Sequence, residues 1–160
     1  MKKINISIIG AGSSQFSGGI IRDICVTPRL HGCRLTLMDI DQERLDFIVR
    51  MGRKLTKELH ADIEFVSTMN REEALIGADF VINTAQDKGH PWANELMDMA
   101  RRHGYGDCGF LSMLTQCAFL LDVAKDMERL CPNAILIQSS NPVFEGCTII
   151  HRMTKIRCIG

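Results

Sequence analysis

IIGAGSSQFSGG, residues 8–19, is the stretch on which the fold turns. A short apolar run enters it, two glycines follow, and a helix is expected to leave it. Gly10 permits a tight turn, and Gly12 removes the Cβ that would hold a pyrophosphate away from the backbone. The N-terminus of the helix that follows offers unpaired N–H groups and the positive end of a dipole. A dinucleotide-binding fingerprint would read G-x-G-x-x-G, and here Gln15 stands in the third glycine's place. The usual work of that glycine is close helix–strand packing rather than phosphate contact. Gln15 and Phe16 therefore predict either a wider gap between helix and sheet or a loop that departs before the helix begins. A polar Gln15 either reaches a cofactor or is solvated.

Outward from this loop, apolar strand-like runs alternate with helical periodicity. Residues 4–9 read as a first strand and 18–26 as a helix stopped by Pro28. RLTLMDID, residues 34–41, reads as a second strand ending in acids. A long helix follows, with Asp41 as N-cap, Glu43 in the first turn, and Leu45, Ile48, Val49, Leu55 and Leu59 at helical spacing. IEFVS (63–67) is a third strand, followed by a short helix around REEALIG that Gly77 closes. DFVINTA (79–85) is a fourth strand, apolar enough to be buried on both faces. Helices are then expected over 92–103 and 111–130, a fifth strand at AILIQ, a turn at SSNP, a helix to about Met153, and a sixth strand in IRCIG. Asn141 can cap that last helix, Pro142 suits its first position, and a chain reversal there favours a cis Asn141–Pro142 bond. Strands separated by helices pair in parallel through right-handed crossovers. The expected fold class is therefore α/β, a doubly wound parallel sheet of about six strands, Rossmann-like.

Composition sets limits on function. The chain has 160 residues, 46% hydrophobic and 24% charged, with zero formal net charge. That balance provides no basic field for nucleic acid or an anionic membrane, and no apolar run is long enough to span a bilayer. The basic-then-apolar N-terminus resembles a signal peptide only faintly, because Asn5 and Ser7 interrupt it. Seven cysteines, none in a C-x-x-C pair, read as reduced thiols of a cytoplasmic protein.

The residues that point to chemistry gather at the expected carboxyl ends of strands, where open parallel sheets bind ligands. Asp39 ends the second strand, somewhat later than the usual spacing of about 20 residues. A carboxylate there accepts hydrogen bonds from a ribose diol and repels a 2′-phosphate, which favours NAD over NADP. Asn83, Thr84 and Ala85 end the fourth strand, and Ser139, Ser140 and Asn141 end the fifth. Asn141 can cap its helix, touch the nicotinamide ribose, or touch a substrate hydroxyl. The expected cofactor-binding residues are Gly10, Gly12, Ser13, Ser14, Gln15, Phe16, Asp39, Thr84, Ala85 and Asn141. Asp87, Lys88, His90 and Trp92 lie after the fourth strand, where His90 is either catalytic or, more simply, a solvated loop residue. His31, His60, His103 and His151 are scattered, and no Ser-His-Asp order or metal-ligand cluster is visible.

INISIIGAGSSQF, TPRLHGCRLTLMDIDQERLD, EEALIGADFVINTA, LLDVAKDMERLCPNA and SSNPVFE together resemble the N-terminal part of the NAD-dependent glycosidases of glycoside hydrolase family 4. The resemblance covers nearly the whole chain and is nearest the α-galacturonidase- and α-glucosidase-like branch. It implies a departure from the usual two-carboxylate glycosidase. NAD would oxidise the sugar's C3 hydroxyl, the C2 proton would then be removed, the aglycone eliminated, water added and the ketone reduced again. A divalent metal, manganese expected, would polarise the C2 and C3 oxygens.

The resemblance supports Gly10, Gly12, Ser13 and Asp39 at the cofactor and Asn141 near nicotinamide and sugar. It puts the metal-binding cysteine, the metal-binding histidine and the base beyond residue 160. Cys158 is not that cysteine, and no metal ligand or complete catalytic set is expected within the chain. Residues 1–160 would thus be an NAD-binding domain, inactive alone, lacking a C-terminal metal-holding catalytic domain and inclined to form a homo-oligomer. Relatives carry GDTxGxGG or GQET where this sequence reads HGYGDCGFLSMLTQC, and relatives that bind 6-phosphosugars carry an arginine near KGHPWANE. Its absence disfavours a phosphorylated sugar. The alternatives are a malate/lactate-type 2-hydroxy-acid dehydrogenase, which would need a substrate-binding arginine in QDKGHPWANE, and a non-catalytic NAD-binding module.

Overall fold

Each strand alternates its side chains between two faces, and both faces are covered by helices. The structure, a computed structural model, describes residues 3–160 apart from the side chain of His90. In chain order the elements are β1 (Asn5–Ile9), α1 (Ser14–Cys25), a 3-10 turn (Pro28–Leu30), β2 (Cys33–Met38), α2 (Gln42–Glu58), β3 (Ile63–Thr68), α3 (Arg71–Leu75), β4 (Phe80–Asn83), α4 (Gly89–Arg102), α5 (Gly109–Leu130), β5 (Ile135–Gln138), α6 (Val143–Met153) and β6 (Arg157–Ile159). Among the described residues the strands form one sheet in the order β3-β2-β1-β4-β5-β6, and every pairing is parallel. This is the doubly wound arrangement, with the strand order reversing between β1 and β4.

On one face Ile8, Leu35 and Leu37 pack with Ile21 of α1 and Leu45 and Ile48 of α2. On the other, Ile9, Val81 and Leu136 pack with Leu120, Val123 and Met127 of α5 and Ile150 of α6. Full burial of such a side chain contributes about 1.5–3 kcal/mol, so the two layers hold the sheet from both sides. Register then fixes the site. Ile9 pairs with Met38 and with Asn83, and Asn83 pairs with Gln138. The last residues of β1, β2, β4 and β5 therefore lie level, and the loops that follow them emerge in one row.

Several boundaries differ from the sequence expectation. Helix α1 begins at Ser14 rather than near residue 18, because Ser13 is its N-cap and its hydroxyl accepts from Phe16 N. Gln15 and Phe16 are thus exposed residues of the first helical turn, not loop residues. On the buried side of that turn Ser17 is fully buried and donates to Ala11 O at 2.7 Å. Helix α4 begins at Gly89 rather than 92, entered through Lys88 in a left-handed conformation at φ 55°. Helix α5 begins at Gly109, and β4 ends at Asn83, which leaves Thr84 and Ala85 in the loop. The Asn141–Pro142 bond is cis. Pro142, with extended backbone at ψ 127°, is the N-cap of α6 in place of Asn141, and no side chain caps that helix. Asp41 caps α2 as expected, its carboxylate accepting from Arg44 N at 3.1 Å.

All seven cysteines are free. Burial pushes the Cys131 thiol up to about 11. Burial, then the hydrogen bond to Cys147 at 3.6 Å, pushes Cys158 up to about 12. The thiolate is the reactive form, so native-state iodoacetamide labelling at pH 8 should leave Cys131 and Cys158 unmodified while unfolded protein labels at all seven sites. Mass spectrometry of the native digest reads this directly. The same shifts set an alkaline limit. The unfolded thiols release their protons near the ordinary value of 9.0, while the folded ones keep theirs. The folded state therefore loses stability as pH climbs from about 9 through about 11 for Cys131 and about 12 for Cys158, visible as a falling melting temperature over that range.

Candidate functional site

The turn after β1 is held from two sides, by the ends of β2 and β4. Gly10 N and Ala11 N both donate to Met38 O at 2.9 Å, which ties the turn to the end of β2. From the β4 side, Thr84 N donates to Ile9 O at 2.9 Å, and the Thr84 hydroxyl donates to Gly10 O at 3.0 Å. Gly10 has φ +85°, and a Cβ there would lie 2.5 Å from Ala85 Cα. Only glycine lets the β1 and β4 loops approach this closely.

Asp39, immediately after β2, forms the rim of the turn. Its Oδ2 accepts from Gly12 N at 2.6 Å and its Oδ1 from Asp41 N at 3.0 Å. A Cβ on Gly12 would lie 2.7 Å from that Oδ2. Gly12 is thus required by the Asp39 carboxylate as well as by any approaching phosphate. An ionised carboxylate has about four lone-pair sites, so two remain for hydroxyl donors. Ser13, Ser14 and Gln15 lie at the start of α1, where the first N–H groups of a helix lack intrahelical acceptors.

The β4 and β5 ends are joined by a buried polar network that the sequence did not disclose. Asn83, Gln116, Gln138 and Ser140 are all buried. Asn83 Nδ2 donates to Gln138 Oε1 at 3.0 Å and to Ser140 Oγ at 3.3 Å. Gln138 Nε2 donates to Ser140 O and Oγ at 2.6 and 2.8 Å. Asn83 O in turn accepts from Ser139 N and Ser140 N. No buried side-chain nitrogen or oxygen among the described residues lacks a partner. The only advance signal was that Asn83 and Gln138 are polar residues at the ends of apolar strands.

Asn141 is exposed and lines a cavity of about 490 Å³. Its other walls include Gly109, Ser112, Phe144, Glu145 and Gly160. Glu145 and Ser112 were not among the expected site residues, and Glu145 sits in the first turn of α6. Of the loop residues after β4, Lys88 places its ammonium 4.5 Å from the Trp92 ring centre, and Trp92 Nε1 donates to Thr115 Oγ1 at 3.4 Å. The His90 side chain lies outside the described residues. The structure therefore brings Gly10, Gly12, Asp39, Thr84 and Ala85 together at the switch point, with Asn141 over β5. Phe16 is 47% exposed on the first turn of α1. Among the described residues no three His, Cys, Asp or Glu side chains stand close enough to hold a metal ion, and no helix is long and apolar enough to cross a membrane.

The model of the family described as "Family 4 glycosyl hydrolase" matches residues 5–160. An alpha-galactosidase of Bacillus subtilis (strain 168) is 32% identical, the match covering 100% of this chain and 39% of that protein. An alpha-glucosidase of Erwinia rhapontici is 31% identical over 92% of this chain and 34% of its own length. A crystal structure of a 6-phospho-alpha-glucosidase from gut microorganisms, in complex with NAD and Mn2+, superposes with a TM-score of 0.81 at 25% identity, covering 94% of this chain and 36% of that one. The chain thus spans well under half the length of these relatives.

Proposed function

Because this chain belongs to the family 4 glycosyl hydrolases, we propose that residues 1–160 are the NAD-binding part of an enzyme that cleaves glycosidic bonds by transient oxidation of the sugar. One observation carries the reading: the Gly10–Ser13 turn is clasped between the β2 and β4 ends with the Asp39 carboxylate fixed at its rim. The cradle fits a dinucleotide. Gly10 holds the floor of the crevice, and the first turn of α1 faces the phosphates with free amides and no acidic side chain. Asp39 receives a ribose diol. Asn141, exposed beside the cavity, faces the sugar and the nicotinamide end. Bound NAD would supply a hydride acceptor for the sugar's C3 and later return that hydride.

The described residues do not assemble a metal site, so no metal-dependent step is assigned to them. On this reading the metal-holding and basic groups come from a second domain. The substrate is a glycoside, and the absence of an arginine in residues 86–95 favours one without a 6-phosphate. Seven free thiols favour the cytoplasm, and exposed Phe110, Leu114 and Phe144 favour self-association. The family match favours this reading over a 2-hydroxy-acid dehydrogenase.

Titration calorimetry of the chain tests the cofactor reading. NAD should bind at millimolar concentration or below, with NADP at least about 10-fold weaker, a difference of about 1.4 kcal/mol. No heat with NAD at millimolar concentration overturns it. The chemistry is tested separately in an enzyme completed by its catalytic domain. Hydrolysis in D2O should place deuterium at C2 of the released sugar, and a product without it excludes the elimination route.

A further inference from the structure

Gln116 sits in the middle of α5, is 4% exposed, and makes three polar contacts. Its Oε1 accepts from Asp87 N at 2.7 Å, and its Nε2 donates to Ala85 O at 2.9 Å and to Ser140 Oγ at 3.3 Å. An amide that accepts from one backbone N–H and donates to a backbone carbonyl two residues earlier imitates the edge of a neighbouring strand. It extends ordered pairing past Asn83, where β4 ends, and so fixes the β4 loop. The third contact reaches the turn after β5, whose Ser140 precedes Asn141. Gln116 therefore joins the two loops that flank the second half of the crevice. Its side chain makes no hydrogen bond to the Gly10–Ser13 turn or to Asp39, which form the first half.

We propose that Gln116 is a positioning residue for the nicotinamide half of the cofactor, clamping the loop after β4 against the turn after β5. The proposal rests on the NAD-binding reading above. A doubly wound sheet binds a dinucleotide across two mononucleotide halves, with the acidic residue after β2 on the adenosine side. The β4 and β5 loops then belong to the other half. Loss of the clamp should weaken a ligand that fills both halves and spare one that fills only the first. A residue with a merely structural role would weaken both alike.

The test compares NAD with ADP as calorimetric ligands of the unaltered protein and of Gln116→Glu. The variant keeps the acceptor for Asp87 N, but once ionised it can donate neither to Ala85 O nor to Ser140 Oγ. The loss of one buried hydrogen bond corresponds to roughly 5- to 150-fold in affinity. The expected result is an NAD affinity about 10-fold lower at pH 9, with ADP affinity unchanged within about 2-fold. The NAD affinity of the variant should recover as pH falls and the carboxyl regains a donor proton, while that of the unaltered protein stays flat. If Gln116→Glu does not fold, Gln116→Asn, shorter by one methylene, serves the same comparison. Equal losses for NAD and ADP, or no loss for NAD, overturn the clamp alone. If the unaltered protein binds neither ligand, the cofactor reading falls and the clamp falls with it.

Discussion

Gly10→Ala should lower the melting temperature by about 10 °C and the affinity for NAD by at least about 100-fold. Two separate costs meet at this position. The backbone is held at φ +85°, which costs a non-glycine residue about 1–2 kcal/mol. The added methyl would also lie 2.5 Å from Ala85 Cα and 2.6 Å from Ala85 N. Those are backbone atoms, and they have no room to retreat, because Ala85 N donates to Asn83 Oδ1 and Ala85 O accepts from Gln116. Overpacking of this kind costs about 1–3 kcal/mol. The sum corresponds to about 10 °C at roughly 2–4 °C per kcal/mol for a chain of this size. The cofactor loss follows because the methyl forces the β1 and β4 loops apart at the floor of the crevice. Gly77→Ala is the control. Its φ is +73° with nothing within 4 Å of the new methyl, so it incurs the backbone cost alone and should melt only about 2–8 °C lower. A Gly10→Ala protein that melts like Gly77→Ala and binds NAD normally would remove the packing argument.

What the sequence disclosed and what it concealed divide along the range of the interactions involved. The strands and their parallel pairing followed from local features, namely apolar runs separated by helical periodicity, whereas their order in the sheet came only with the structure. Asp41 was legible as a cap because it bonds Arg44 N, three residues away. Helix α1 was placed too late because Ser14, Gln15, Phe16 and Ser17 were left in the glycine loop and only residues 18–26 were read as helix. In the structure Ser17 is buried against Ala11, and a Cβ on Gly18 would lie 3.3 Å from Met51 Cε on α2. Those small residues serve helix packing, a tertiary demand that overrides local propensity. The Asn83–Gln138–Ser140–Gln116 network was not legible. Its members lie up to 57 residues apart and meet through the pairing of Asn83 with Gln138 and the seating of α5 over both strands. Asp39 was found, but only for its ligand-facing role. Its hold on Gly12 depends on the β1–β2 register, which no local pattern encodes.

That double duty makes Asp39→Ala the second decisive substitution. In the folded chain the carboxylate satisfies Gly12 N and Asp41 N at once. Removing it strands two amides at about 1–3 kcal/mol each, reduced where water can enter, because Asp39 is only half-buried. Binding loses two ribose acceptors together with the fixed shape of the glycine turn, so NAD affinity should fall by about 30-fold, or roughly 2 kcal/mol. NADP should respond differently. It loses the same turn geometry but is relieved of the carboxylate's repulsion of its 2′-phosphate. The ratio of NAD to NADP affinity should therefore contract by about 10-fold. Asp39→Asn sharpens the comparison, because it keeps the shape but sets an NH2 group against one of the two backbone N–H donors. It should lose stability nearly as Asp39→Ala does, while discriminating less against NADP than the unaltered chain. If both variants weaken NAD and NADP by the same factor, Asp39 is a brace for the turn and has no part in choosing the cofactor.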